Sequence, residues 1–100
     1  MNKDWKQHLS IKEADICLSL ACKVNVNNQI DLTEEQMYKY CHYKSFRYFK
    51  NHLNGLVEKN IIIKIEEQSD KPYFFNPNYI RYYDELGPII YNRPLDIYQN

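Results

Sequence analysis

Ser45 to Ile65 reads SFRYFKNHLNGLVEKNIIIKI, and the reading of this stretch sets the expected fold. Ser45 suits a helix N-cap, because its hydroxyl can accept from an amide of the first turn. Phe46, Phe49, Leu53 and Leu56 follow at spacings of 3, 4 and 3, one apolar stripe on a helix that runs to about Lys59. Asn60 stands where helices often end in a left-handed residue, a conformation Asn tolerates. Ile61 to Ile65 is β-branched and reads as a strand.

Working upstream, Thr33 caps a second helix over roughly Glu34 to Cys41. Asp31 and Glu34 place negative charge at its positive end, and Met37, Tyr40 and Cys41 form its inward face. His42-Tyr43-Lys44 is a short connection. Ile30 and Leu32 alternate as a short strand before it. A first helix starts at Ser10, where Ser10 and Glu13 match the S-x-x-E capping box. Ala14, Cys17, Leu18 and Ala21 recur along one face, and the pattern fades over Val24 to Asn28.

Downstream, the polar run Glu66 to Lys71 suits a hairpin tip. Tyr73-Phe74-Phe75 reads as its second strand and Asn76-Pro77-Asn78 as a stop. The Tyr-rich tail reads as a short helix near Tyr79 to Leu86, then an extended arm. The order is helix, short strand, helix, turn, helix, strand, loop, strand. That predicts an α+β chain with a small winged helix-turn-helix domain, three helices plus a β-hairpin wing, over 10–80. Residues 1–9 are an N-terminal arm, and 81–100 a C-terminal extension and candidate dimer contact.

The chain has 100 residues, the size of one domain. No apolar run approaches the roughly 20 residues that span a bilayer, and Met1 to Leu9 is polar, unlike a signal peptide. Three cysteines, Cys17, Cys22 and Cys41, do not frame a disulfide scaffold. A cytoplasmic protein is expected. Abundant Asn, Lys, Ile and Tyr point to an AT-rich genome, such as that of a low-GC bacterium or its plasmids or phages.

The charge pattern points to a polyanion. Formal net charge is zero, which argues against a broadly basic nucleic-acid binder. Yet between Glu35 and Glu58 there is no acidic residue, while Lys39, Lys44, Arg47 and Lys50 fall there with His42 and His52. The third helix of a helix-turn-helix enters the major groove. Its stripe points Arg47, Tyr48, Lys50, Asn51 and Asn54 outward, with Lys44 and Ser45 at its start. Arg can read guanine and Asn adenine, whereas Lys and Tyr more often hold phosphate. Lys71 at the wing tip is a further contact, opposed by Glu66, Glu67 and Asp70. The expected double-stranded DNA-binding residues are thus Lys44, Ser45, Arg47, Tyr48, Lys50, Asn51 and Lys71.

Other chemistry is not expected. Cys41, His42 and His52 match no standard zinc spacing. Cys41 and His42 are neighbours and do not face each other on a helix. Gly55 and Gly87, the only glycines, make no phosphate loop. The reading is of no enzyme, no metal and no cofactor.

Ser45 to Ile65 resembles the recognition helix and first wing strand of MarR-like winged-helix regulators, with Asn60 where that family usually has Gly. Tyr73 to Ile80, YFFNPNYI, is similar to the second wing strand of plasmid replication proteins from low-GC Gram-positive bacteria. The resemblance covers about residues 10 to 80. It implies a homodimer on a two-fold related site, with DNA contact at Ser45, Arg47, Tyr48, Lys50 and Asn51. The expected roles are transcription regulator, or plasmid or phage replication or partition factor. The alternative is a winged helix turned to protein binding, such as an inhibitor or adaptor. Zero net charge, the acidic wing tip and the Tyr-rich tail favour that alternative.

Overall fold

Three hydroxyl caps start the three α-helices of the computed structural model, which describes residues 4–66 and 70–94. Ser10 opens α1 (Ile11–Ala21) with the full capping box: its hydroxyl accepts from the Glu13 amide, and the Glu13 carboxylate accepts from the Ser10 amide. Thr33 opens α2 (Glu34–Tyr40) with a second box, completed by Gln36. Ser45 opens α3 (Phe46–Glu58) by accepting from the Tyr48 amide. Asn60 ends this helix with a φ of 63°.

The chain then turns into β1 (Ile62–Lys64), which pairs antiparallel with β2 (Tyr73–Phe75) in the register Ile62 to Phe75. The other edge of β2 is also paired. The Ile30 amide donates to the Tyr73 carbonyl and the Phe75 amide to the Asn28 carbonyl. The expected short strand at Ile30 and Leu32 is therefore a pair of isolated bridges, Val24 with Ile30 and Gln29 with Phe74. Three helices with this hairpin fit a winged-helix-like layout.

The tail departs from expectation. Instead of a helix near Tyr79 to Leu86, the chain forms a second antiparallel hairpin, β3 (Ile80–Asp84) and β4 (Gly87–Ile90). Alternation explains it: Ile80 is fully buried and Arg81 exposed, so the segment follows the strand period of two. Gly87, at a φ of 142°, supplies the turn conformation that L side chains avoid. Part of the N-terminal arm is also built in. Trp5, in a 3-10 turn over Trp5–His8, is buried, meets Tyr79 edge-on at 5.1 Å and donates to the Tyr91 carbonyl. Tyr98, Glu67 and the last six residues of the extended arm lie outside the described residues.

The core joins Ile16, Leu20, Ile30, Met37, Phe49, Leu53, Leu56, Ile62, Tyr73, Phe75 and Ile80, all essentially without solvent contact. Helix α1 is rotated from its expected phase. Ile16 and Leu20 are buried with Cys17 and Ala21, while Leu18 is 41% exposed and Ala14 half-buried. Both phases satisfy a 3-4 spacing, and the one that hides Ile16 and Leu20 removes more apolar area from water. It also draws Glu13 inward, where its carboxylate takes the Lys59 ammonium at the end of α3. On α2, Met37 is buried as expected, whereas Tyr40 stays 37% exposed and Cys41 is half-buried. Phe46 remains 40% exposed, its ring edge-on to Tyr38 at 5.4 Å.

Candidate nucleic-acid interface

The buried stripe of α3 orients everything else on that helix. With Phe49, Leu53 and Leu56 in the core, Arg47, Tyr48, Asn51 and Asn54 face solvent, as do Lys44 and Ser45 just ahead of the helix. From Lys44 to Asn54 these outward residues carry no carboxylate, and Glu58, exposed at the last position of the helix, is the first. Cations, amides and a phenol on one face can bond phosphate oxygens and base edges.

Two of the expected contacts are committed elsewhere. Lys50 is turned toward the wing, its side chain only 22% exposed. Its ammonium donates to the Glu34 carboxylate at 2.6 Å and to the Tyr73 hydroxyl at 2.9 Å, and the Tyr73 hydroxyl donates to the same Glu34 oxygen. Burial alone would raise the Glu34 carboxyl. The hydrogen bonds from Lys50 and Tyr73, with the Lys50 and Lys64 charges, outweigh it and hold the group below its ordinary value. Burial foremost, then the hydrogen bond to Glu34, pushes the Tyr73 phenol up. Lys71 donates to Asp31 at 3.0 Å, which raises its ammonium, while its carbonyl accepts from Gln29.

The surface between α2 and the wing is acidic. A cavity of about 460 Å³ there is lined by Glu34, Glu35, Glu66 and Asp70, with Lys64 among them. Lys64 pairs with Glu66 and Lys39 with Glu35.

The turn between α2 and α3 brings His42, Tyr43, Tyr48 and His52 together and adds Lys12, which the sequence pattern did not single out. His42 has a φ of 61°, and the Tyr43 amide donates to the Tyr38 carbonyl. Tyr43 meets Phe49 edge-on at 5.2 Å, and His52 meets Tyr48 edge-on at 4.7 Å. A second cavity, of about 320 Å³, opens here between Tyr43, Lys44, Ser45, Tyr48 and Lys12 of α1. No spacing rule links Lys12 to this turn, because α1 reaches it through packing.

The cysteines are poor nucleophiles or ligands where burial acts on them. Burial pushes the Cys17 thiol up to about 12 and the Cys41 thiol up to about 11. Among the described residues, no group of three His, Cys, Asp or Glu side chains could hold a metal ion. Among them too, no helix is long and apolar enough to cross a membrane. Comparison with protein-family models, curated proteins and solved structures finds no match.

Proposed function

We propose that this chain is a winged helix-turn-helix protein that binds double-stranded DNA through α3, without catalysis, as a cytoplasmic homodimer that regulates transcription or serves plasmid or phage replication or partition. One observation carries the reading: the cap and first turns of α3 present Lys44, Ser45, Arg47, Tyr48, Asn51 and Asn54 to solvent, with no carboxylate before Glu58 at the helix end. In a neutral chain, that is the face a polyanion can approach. Arg47 and Asn51 lie one turn apart and serve as the base-reading pair, with Lys44 holding phosphate. Lys50 and Lys71 contribute little, because Glu34 and Asp31 already neutralise them. Few free cations imply weak binding to random sequence and a shallow salt dependence, since the slope is about −0.9 per phosphate neutralised.

The test is selection from a random duplex library, followed by fluorescence anisotropy at several salt concentrations. A Lys44→Ala/Arg47→Ala/Asn51→Ala variant should lose the enriched sequence while keeping its melting temperature. Failure to enrich any duplex at low salt would overturn the reading.

The alternative, a protein-binding winged helix, is favoured by the acidic lining between α2 and the wing and by the exposure of Tyr83 (64%) and Leu86 (96%) on the second hairpin. Capture of a basic protein partner, lost on Glu35→Lys/Glu66→Lys substitution, would support it.

A further inference from the structure

The cavity at the first turn of α3 joins two elements far apart in sequence. Lys12 comes from α1, and Tyr43, Lys44, Ser45 and Tyr48 come from the turn and α3. Its volume of about 320 Å³ falls within the range of small-ligand sites, roughly 300–1,000 Å³. Among the described residues no carboxylate lines it. Asp15, one turn along α1 from Lys12, adds a minor push to the upward shift of the Tyr43 phenol that burial dominates.

Its chemistry is two-fold. Neither Lys12 nor Lys44 is ion-paired among the described residues. Lys12 stands 5.8 Å from the centre of the Tyr43 ring, so its ammonium is held at the pocket wall. Of the first-turn amides of α3, that of Tyr48 is taken by the Ser45 hydroxyl, while those of Phe46 and Arg47 have no acceptor within the helix. Tyr48 is 52% exposed and meets only His52 and Tyr43 among the described aromatic rings, so much of its ring is open. An anion site beside an open aromatic ring matches a ligand that carries both a phosphate and a flat base. Bases in a duplex hide their faces in the stack. An unpaired nucleotide offers one, and base–aromatic stacking tolerates any base.

We propose that this pocket takes one unpaired nucleotide, its phosphate between Lys12 and Lys44 and its base on Tyr48. The inference rests on α3 being the nucleic-acid face, and it assigns that face a preference for opened or frayed DNA over intact duplex alone.

The test uses the full chain and a fluorescein-labelled 12-mer of thymidylate at low salt, with thymidine monophosphate and inorganic phosphate as competitors. The 12-mer should bind, and the mononucleotide should displace it at concentrations where phosphate does not. Tyr48→Ala should weaken binding by about tenfold or more and Tyr48→Phe should restore it. Lys12→Ala should weaken it and reduce the salt slope by about 0.7, the increment for one single-strand phosphate. Melting curves establish that each variant is folded, and Lys12→Ala is an independent handle on the opposite wall. Three results each overturn the proposal: no binding of the 12-mer, wild-type affinity in Tyr48→Ala and Lys12→Ala, or phosphate competing as well as the mononucleotide. The duplex selection above is read separately. A protein that enriches a duplex but fails here loses only the nucleotide pocket, whereas one that binds neither loses the parent reading.

Discussion

Arg47 and Lys50 sit three positions apart on one helix and do different work. Arg47 projects into solvent, while Lys50 is tied to Glu34 and Tyr73. Lys50→Ala leaves a partly buried carboxylate and a buried phenol short of a partner, and is expected to cost about 1–3 kcal/mol. Arg47→Ala should stay within about 0.5 kcal/mol of the parent, as exposed substitutions do. Urea denaturation of the two variants checks this, and equal midpoints would remove Lys50 from the polar cluster. Gly55 is a sharper case. Glycine inside a helix is ordinarily worth replacing, since Ala is favoured by about 1 kcal/mol. Here an added Cβ would run into the Glu13 carboxylate, which holds the Lys59 ammonium and the Ser10 amide. The carboxylate is the end of a flexible side chain and its Lys59 partner is 42% exposed, so giving way costs on the order of 1 kcal/mol, enough to offset the propensity gain. Gly55→Ala should therefore leave stability nearly unchanged. The same change in a Glu13→Ala background should stabilise by the helix preference of about 1 kcal/mol, and a double-mutant cycle in thermal melts reads that difference.

Among the elements, the joint between the two hairpins is tied by two asparagines, Asn28 and Asn76. Asn28, at a φ of 62°, donates from Nδ2 to the Phe75 carbonyl at 2.8 Å and the Ile80 carbonyl at 3.0 Å. Its Oδ1 accepts from the Tyr82 amide at 2.7 Å. It thus ties the turn after α1 to the end of β2 and the start of β3. Asn28→Ala removes these bonds and adds the left-handed penalty of about 1–2 kcal/mol. Hydrogen exchange should speed up in β3 and β4 first, with β1 and α3 following only at the global rate. Uniform acceleration throughout would mean that the second hairpin does not open separately. The start of β3 is held from the other side by Asn76, which is fully buried, donates to the Asn60 carbonyl and accepts from the Asn78 amide.

At the scale of the molecule, two long-range ion pairs set the acid sensitivity. Glu13 with Lys59 joins the start of α1 to the end of α3, and Glu34 with Lys50 joins α2 to α3. For Glu13, burial would raise the carboxyl, but bonds from Lys59 and Ser10 hold it below its ordinary value, as Lys50 and Tyr73 do for Glu34. A carboxyl lowered on folding contributes stability that is complete above its unfolded value of 4.5 and is lost as pH falls through the lower folded value. Melting temperature should therefore hold from neutral pH to about 4.5 and decline below it. Glu13→Gln/Glu34→Gln should start lower and decline less. Trp5 is a built-in reporter. It is buried against Tyr79 and bonded to the Tyr91 carbonyl, so its emission should shift to the red when the second hairpin detaches.

Much of this was written locally. The caps at Ser10, Thr33 and Ser45, the 3-4-3 stripe of α3, the left-handed Asn60 and the wing strands each depend on residues a few positions apart. A side chain bonding the next turn, or an apolar period, acts before any tertiary contact exists. The outward aim of Arg47, Tyr48 and Asn51 follows from that stripe, so most of the candidate interface was legible as well. The rotation of α1, the strand state of Tyr79 to Leu86, the capture of Lys50 and Lys71 by Glu34 and Asp31, and the arrival of Lys12 at the α3 cap were not. Those outcomes turn on partners 16 and 40 positions away in the Glu34–Lys50 and Asp31–Lys71 pairs. Local pattern records which residues are able to pair or to bury. Which of them do so is set by packing, where the burial of Ile16, Leu20 and Ile80 outweighs equally regular alternatives and leaves each charge either neutralised or free.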